Sequence, residues 1–381
     1  MTRSAPVSQL RARNTCASVS PPRLPPAPSS ISTMPSPAIT RHAEEPPGWA
    51  ELARATGTFY HDPRWIREIA ATFAYRVHWL AAGEGALTGA LALAEVPALI
   101  GAARLVSFPF SFIAGPMTRD PAVARALAAA ARELAGQRGL KRVEIKQPGT
   151  AGPVADGFVR STRYTTYRVP TIGGEQAVWR RLHVTSTQQR IRKGQKAGVT
   201  VGLGETSEDW LAMARLEERV QQSFGVPAPP RRFFLGSCRR LQEAGLVDLY
   251  LARVPDGRVA AGFVMFKGPR EWVYAFSASD LRFVREFRPT HALLWEGLRR
   301  AAAAGVVVDL GRAAPEQASL AEFKLRWGAE AVPLAYDYWP DAGGLQQARR
   351  DRGVLALAAR LWSWLPAPLA RLGSGLYRYL G

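Results

Sequence analysis

The stretch "RPTHALLWEGLRRAAAAGVVVDLG", residues 288–311, passes directly from a helix into a strand. Pro289 stands near the start of its helical part and Gly305 at its end, which are the residues that helix boundaries favour. The apolar run that follows, "VVVDLG" (306–311), is typical of a buried strand. A helix followed directly by a buried strand predicts an α/β fold.

The same order of elements occurs twice. A hairpin, a strand, a helix and a second strand follow one another in each half, and the later hairpin turns at Asp256-Gly257, a strong turn dipeptide. We interpret the recurrence as a duplicated unit on a mixed-sheet α/β plan. In the first half the predicted segments are 77–96, 104–116, 120–139 and 140–147, and in the second they are 247–268, 270–280, 288–305 and 306–311.

Four further helices are expected outside the repeated unit. One lies at 59–73 after the Asp62-Pro63 turn, and a second, at 179–204, has a basic end. A third begins at Ser207 and runs to 227, and the fourth covers 230–245.

Composition restricts the classes of protein and partner. With 381 residues and 47% hydrophobic content, the chain is long enough for two domains. Lysine and arginine outnumber aspartate and glutamate by 50 to 31, which gives a formal charge of +19 and predicts an anionic partner. The alternative is that GC-rich coding inflates arginine and alanine. The two cysteines, Cys16 and Cys238, lie far apart without metal-ligand spacing, so we expect neither a disulfide nor a zinc site.

Both ends of the chain differ from the middle. Residues 1–45 are rich in proline, serine and arginine and are predicted to be a disordered leader, while Met34 is an alternative start. No uninterrupted apolar run approaches the length of a membrane span. The tail, 352–381, contains leucine, tryptophan, tyrosine and arginine without acidic residues. It is interpreted either as an interfacial amphipathic helix on an anionic membrane or as a helix packed on the second domain.

Several motifs carry a resemblance to a known family over about residues 58–340. They include "SFPFSFIAGP" (107–116), "STQQRIRKGQKAGV" (186–199), "FGVP" with "RRFF" downstream, "EFKLRWGAE" (322–330) and "PLAYDYW" (333–339). In this order they resemble the Fem-type peptidoglycan-bridge aminoacyltransferases and the Fem-like GNAT proteins of cell-envelope and exopolysaccharide systems. The resemblance implies two tandem GNAT domains with mixed sheets. The expected division is a leader (1–45), a first domain (46–168), a second domain with a basic junction helix (169–345) and amphipathic C-terminal helices (346–381).

The resemblance also implies acyl transfer onto an amine, with Lys324 of the Phe-Lys-x-x-aromatic-Gly motif at the acyl site. Phe323 and Trp327 of this motif are expected to contact the substrate. A cation there can stabilise the tetrahedral oxyanion, whereas the simpler alternative is a lysine that snorkels from a helix. Two departures from the family stand out: Ala313 replaces a serine, and Asp120 is the nearest acid after the Gly-Pro.

Two further catalytic candidates come from the same region. Asp309 ends an apolar strand, where it could accept the amine proton or orient the acceptor; pairing with Arg312 or capping a loop is the structural alternative. His291 stands in the first turn of its helix, where the dipole is expected to keep the imidazole neutral and suited to act as a base or contact a phosphate. An exposed capping histidine is the alternative interpretation.

The donor and its binding residues are less specific. A standard GNAT holds the coenzyme A pyrophosphate with a glycine-rich turn, but "VREFRPTHALL" (284–294) has no glycine, and Pro289 removes a donor. We therefore expect no tightly bound cofactor and a donor that is aminoacyl-tRNA or, alternatively, acyl-CoA. The residues expected to hold the anionic donor or acceptor are Arg190, Arg192, Lys193, Arg288 and Arg312.

The expected function is acyl or aminoacyl transfer to an amine of a cell-envelope precursor or polysaccharide. The alternatives are a coenzyme A-dependent N-acyltransferase of polysaccharides or lipids, and a catalytically inactive GNAT scaffold in an envelope-assembly complex. The expected location is the cytoplasm, with contact to the inner face of the cytoplasmic membrane through 352–381 as a further possibility. Phe108, Phe110 and Phe112 are predicted to belong to the core rather than to a ligand site.

Overall fold

The protein is represented by a computed structural model that describes residues 37–340 apart from 84, 100, 101, 150 and 151, together with 362 and 373–380. Within these residues, the strands in chain order are β1 (Ile39–His42), β2 (Arg76–Ala82), β3 (Gly89–Val96), β4 (Arg104–Val106), β5 (Val143–Pro148), β6 (Val159–Val169), β7 (Thr200–Gly204), β8 (Val247–Arg253), β9 (Val259–Lys267), β10 (Glu271–Ser279), β11 (Val307–Ala313) and β12 (Glu330–Trp339). They form one sheet in the order β1-β2-β3-β4-β5-β12-β6-β11-β10-β9-β8-β7.

Ten α-helices accompany the sheet in the described part of the chain. They are α1 (Trp49–Thr56), α2 (Pro63–Phe73), α3 (Pro121–Gln137), α4 (Gly174–Arg181), α5 (Gln189–Lys196), α6 (Ser207–Ser223), α7 (Arg239–Glu243), α8 (Leu281–Phe287), α9 (Pro289–Ala303) and α10 (Ala318–Leu325). Short 3-10 helices cover Phe59–His61 and Gly373–Tyr379, and π-helical turns cover Val184–Gln188 and Phe233–Cys238.

The predicted repeat is confirmed in its order. The first unit contains the β2–β3 hairpin, β4, α3 and β5, and the second contains the β8–β9 hairpin, β10, α9 and β11. In each unit the two strands that flank the helix are parallel neighbours, β4 with β5 and β10 with β11. The mixed-sheet α/β prediction is therefore correct, while the division into separate domains stays a prediction.

One strand from the end of the second half connects the two units. β12 pairs antiparallel with β5 on one side and with β6 on the other, so the sheet continues across both halves. The sheet also extends to β1, which pairs with β2 although it lies in the last part of the predicted leader. The earlier leader residues, up to 36, lie outside the described residues.

Alternation along β8 and β9 directs the two largest core clusters to opposite faces of the sheet. Val264 and Phe266 pack in the cluster that contains residues of α2 and α6, whereas Phe263 and Met265 pack in the cluster that contains residues of α9. The first cluster also joins the two halves, because Phe59 stacks on Phe266 with a centroid separation of 4.4 Å. Such stacking buries a large apolar area and fixes the approach of the two rings.

Local signals explain several helix starts. Asp120 caps α3 by accepting the Ala122 N–H at 2.7 Å, and Pro121 occupies the first helical position. The cap of α6 is Thr206, one residue before the predicted Ser207, and it forms a capping box with Asp209.

Two segment predictions are corrected. The helix expected over 179–204 is instead α4, a π-helical turn and α5, followed by β7, because Gly198 at φ 77° ends the helical segment and Thr200–Gly204 pairs with β8. The extended chain expected over 104–116 contains only the short β4. Phe108 and Phe110 beyond it have positive φ, 61° and 56°, so the chain turns away from the sheet.

Candidate active site

A gap opens where two parallel strands separate. β10 and β11 pair from Glu271–Val307 to Val273–Asp309, and their pairing stops there. Beyond this point β10 follows β9 through an irregularity between Tyr274 and Ser277, and β11 follows β6 through another between Asp309 and Arg312. The carboxyl ends of parallel strands are where α/β folds place ligands.

A cavity of about 530 Å³ occupies this gap. Its walls come from β10, β11, α6, α10, the turn after β4 and the C-terminal 3-10 helix. The polar and aromatic side chains that line it include those of Tyr60, Phe110, Ser111, Phe112, Lys146, Glu217, Gln221, Tyr274, Phe276, Ser277, Arg312, Phe323, Lys324 and Tyr377. Phe108 is fully buried in the core, as predicted. Phe110 and Phe112 are half-buried and pack against the core cluster, but they also line the cavity, which the sequence did not predict.

Lys324, on α10, reaches the cavity from the last turn of its helix and is only 5% exposed. Its Nζ donates to the Gly311 carbonyl at 2.7 Å and to the Arg312 carbonyl at 2.9 Å, at the end of β11. Burial lowers the pKa of Lys324 to about 8, against a raising effect of Asp309. An ammonium has three N–H donors, of which the two carbonyls take two, and Nζ also lies 5.4 Å from the centre of the Tyr167 ring. Lys324 is thus not a snorkelling lysine with its head in water.

Asp309 lies behind the cavity wall rather than on it. Its Oδ1 accepts hydrogen bonds from the Thr166 hydroxyl and, at 2.7 Å, from the Gly311 N–H, and its Oδ2 is 3.6 Å from Arg168 Nε. Burial raises the pKa of this carboxyl. In this geometry Asp309 holds the Gly311 turn, whose carbonyl in turn holds Lys324. It pairs with Arg168 and not with Arg312.

His291 is buried on α9 beside the two aromatic residues of the Lys324 motif. Its ring centroid is 6.1 Å from that of Phe323 and 5.8 Å from that of Trp327. The pKa of His291 is lowered to about 4, first by burial and then by Arg190 and Arg288. This direction agrees with the predicted neutral imidazole, but burial, rather than the helix dipole, is the main cause of the lowered pKa. The alternative of an exposed capping histidine is wrong, because His291 is buried.

The predicted basic residues separate into two groups. Arg190 and Arg288 lie near His291, while Arg192 packs over the Trp179 ring at 5.3 Å and Lys193 Nζ donates to the Arg285 carbonyl at 3.3 Å. These four do not line the cavity described above.

Arg312, by contrast, belongs to the cavity wall. It donates to the Tyr336 hydroxyl at 2.9 Å and lies 4.5 Å from the centre of the Tyr164 ring. Of the two aromatic motif residues, Phe323 lines the cavity and Trp327 is fully buried.

The start of α9 offers few backbone donors for a phosphate. Pro289 has no N–H, and the N–H groups of His291 and Ala292 both donate to the Arg288 carbonyl. Helix α5 also covers the α8–α9 junction closely, since a Cβ on Gly194 would stand 2.9 Å from the Phe287 carbonyl oxygen. A helix N-terminus binds anions through its free backbone N–H groups. Because few of these are free at the start of α9, that helix start is poorly suited to hold a phosphate.

One lysine and one glutamate of the cavity, Lys146 and Glu217, were not predicted from the sequence. Lys146 Nζ donates to the Phe108 carbonyl at 3.3 Å and is 3.8 Å from Glu144 Oε1, and burial lowers its pKa to about 8. Glu217 stands four residues after Met213 and seven after Trp210, hence on the apolar face of α6. In the sequence, a glutamate at a helix position where an apolar residue is expected was the signal that could have identified it.

The described part of the C-terminal tail packs on the first half of the chain. Tyr377 stacks on Phe110 with centroids 4.8 Å apart, and the Tyr75 hydroxyl donates to the Arg378 carbonyl. The rest of the tail, 352–361, 363–372 and 381, lies outside the described residues, so membrane contact stays a prediction. Cosedimentation of the full chain with anionic vesicles would measure it. Among the described residues, no helix combines the length and apolar character needed to cross a bilayer, and no group of three acidic, histidine or cysteine side chains could hold a metal.

Comparison with known proteins supports the same fold. Residues 183–325 match the family described as acetyltransferase (GNAT) domain. The crystal structure of FemX is similar with a TM-score of 0.59 at 13% identity, over 78% of this chain and 96% of FemX. The structure of L-PGS from Bacillus licheniformis is similar with a TM-score of 0.51 at 12% identity, over 84% of this chain and 97% of that protein.

A search of curated proteins with the sequence gave no significant match. The matched family is one of acetyltransferase domains, so acyl transfer is the general reaction that this match supports. The repeated unit, the domain match over residues 183–325 and the shared fold therefore agree that this chain has a GNAT-type fold similar to the folds of FemX and L-PGS.

Proposed function

We propose that the protein transfers an acyl or aminoacyl group to an amine of a cell-envelope precursor or polysaccharide, with Lys324 at the reacting carbonyl. The observation that carries the proposal is the buried Lys324 ammonium, which lines the cavity and is fixed by two carbonyls at the end of β11. The envelope acceptor rests on the motif resemblance.

Lys324 is suited to the charge that develops during acyl transfer. Attack of an amine on the donor carbonyl places a negative charge on the carbonyl oxygen, and a fixed donor in a site shielded from water stabilises that oxygen by roughly 3 kcal/mol. The Gly311 and Arg312 carbonyls hold Nζ in one place, so little reorganisation is needed when the charge appears. Asp309 contributes indirectly by holding the Gly311 N–H.

The start of α9 favours aminoacyl-tRNA over coenzyme A as the donor. With Pro289 and two N–H groups bonded to Arg288, that helix start supplies little to a pyrophosphate. Arg190, Arg192, Lys193 and Arg288 would instead hold the phosphates of a tRNA or of a lipid-linked acceptor, and such binding weakens as salt concentration rises.

The test is transfer of labelled groups from an aminoacyl-tRNA pool and from acyl-CoA to amines of an envelope extract. Replacing Lys324 with Met should lower transfer about 100-fold or more, because the developing oxyanion loses its cation. The matched control is Lys141→Met, which changes an exposed lysine outside the cavity. Since the pKa of Lys324 is about 8, wild-type activity should also fall as the pH rises through that value.

The outcomes separate the alternatives. Full activity of Lys324→Met would exclude the oxyanion role. Transfer from acyl-CoA alone would favour the coenzyme A-dependent N-acyltransferase, and absence of transfer from either donor would favour the inactive scaffold.

A further inference from the structure

The cavity contains one carboxyl group that the proposed reaction has not used. Glu217 is 2% exposed, and its Oε1 accepts a hydrogen bond from Gln221 Nε2 at 2.7 Å. Its Oε2 is buried and has no hydrogen-bond partner among the described residues. Buried polar atoms are nearly always paired because leaving one unpaired costs free energy. An unpaired carboxylate oxygen at a cavity wall therefore needs an explanation.

The groups around Glu217 leave it without a cation. Tyr274 faces it from β10, with its hydroxyl hydrogen-bonded to Ser277, and Tyr377 faces it from the C-terminal 3-10 helix. Gln221 is its neighbour on α6, and among the described residues no lysine or arginine forms an ion pair with it. Burial accordingly raises the pKa of Glu217 to about 7, with Gln221 acting in the opposite direction.

Glu217 and Lys324 therefore line one cavity with opposite chemical capacities. Lys324 offers an N–H to a developing negative charge, while the free oxygen of Glu217 can accept a proton. An amine acceptor enters as an ammonium at neutral pH, and an ammonium cannot attack a carbonyl until a proton has left. A base whose pKa lies near the working pH is the most effective proton acceptor.

We infer that Glu217 is a catalytic residue that takes the proton from the acceptor ammonium, an inference that rests on the proposed acyl transfer. The carboxylate first accepts one proton and becomes neutral, which frees the amine. The amine nitrogen then forms the new C–N bond with the donor carbonyl. The donor ester or thioester bond breaks, the leaving group takes the second amine proton, and Glu217 releases its proton to solvent.

Two probe amines separate this role from a structural one. n-Butylamine is protonated at pH 7 and needs the base, whereas methoxyamine is already neutral at that pH and does not. With alanyl-tRNA and acetyl-CoA each supplied as donor, Glu217→Gln should lower transfer to n-butylamine about 100-fold and leave transfer to methoxyamine within a few-fold of wild type. Glu208→Gln, on the exposed face of the same helix, is the matched control.

Each result has a defined meaning. Equal losses on the two amines would overturn the role of Glu217 while leaving the proposed transfer intact, and so would full activity of Glu217→Gln on n-butylamine. If the wild type labels no amine of the envelope extract from either donor, the proposed function itself fails and the base role fails with it. If it labels the extract but neither probe amine, the variants are compared on the extract amines, and equal labelling by the wild type and Glu217→Gln overturns the base role. Circular dichroism of each variant confirms that the comparison is made between folded proteins.

Discussion

Lys324 and Glu217 show how burial changes the chemistry of single residues in this protein. Burial lowers the pKa of the lysine to about 8 and raises the pKa of the glutamate to about 7, because both charged forms lose water. Their pKa values thus approach the pH at which acid–base and oxyanion chemistry are useful. Each group is retained at a cost in stability.

The cost of Glu217 can be measured through its pH dependence. Its folded pKa, about 7, lies above the ordinary 4.5, so its protonated form favours the folded state. That contribution is complete below pH 4.5 and is lost as the pH rises through about 7. Glu217→Gln, which cannot ionise, should therefore raise the free energy of unfolding by about 3 kcal/mol at pH 8 and by less than about 1 kcal/mol at pH 5.

Urea denaturation at the two pH values measures this difference, with Glu208→Gln as the control. An effect of the same size at pH 5 and pH 8 would show that ionisation of Glu217 is not its cause.

At the scale of elements, α9 and α3 occupy equivalent places in the two repeated units, and each contains a glycine in different surroundings. Gly297 of α9 faces β9 so closely that an added Cβ would stand 2.6 Å from Phe263 Cζ and 3.2 Å from Met265 Cε. The Phe263 ring cannot easily move, because it stacks on Tyr250 at 4.6 Å. Gly136 of α3 is exposed, and a Cβ added to it would have no atom within 4 Å.

Alanine substitutions at these two glycines should therefore have opposite effects. Gly297→Ala should destabilise the protein by about 1–3 kcal/mol through overpacking. Gly136→Ala should stabilise it by about 0.5–1 kcal/mol, because alanine favours a helix more than glycine does. Chemical denaturation of both variants checks the signs, and stabilisation by Gly297→Ala would contradict the tight packing of α9 on β9.

At the scale of the whole molecule, β12 makes one sheet from two repeated units. Its Asp337 is fully buried and accepts hydrogen bonds from Arg160 Nε at 2.8 Å, from Gln147 Nε2 at 2.5 Å and from the Val154 N–H at 3.2 Å. These partners come from β5, from β6 and from the chain between them. A single carboxylate thus links the last strand to both of its neighbours.

Removing this carboxylate should weaken both halves together. Asp337→Ala leaves the mostly buried Arg160 without its buried partner, and breaking such a pair costs about 3–5 kcal/mol. Glu316→Ala, which removes an exposed partner of Arg163, should change stability by less than about 1 kcal/mol. Calorimetry is expected to show one transition in the wild type and in both variants, and two separate transitions would contradict a cooperative sheet.

The sequence alone determined the order of the repeated unit and most of the boundaries of its elements. Asp256-Gly257, Pro289 and Gly305 act locally, so a turn or a helix end could be predicted from neighbouring residues. The motif around Lys324 also identified the residue that the fold brings to the cavity wall. The prediction of a single helix was wrong at 179–204. The basic residues there also fit one continuous helix, whereas the segment contains a π-helical turn and a strand.

What surrounds those residues depends on contacts between distant parts of the chain. Lys324 meets the end of β11, Glu217 faces Tyr377 from a distant part of the chain, and β12 enters between β5 and β6. Periodicity shows which face of an element is buried but not which element covers it. The pairing of distant strands and the burial of a charged group depend on tertiary packing. Because of this packing, the carboxylate of Glu217, on the apolar face of its helix, becomes part of a cavity wall.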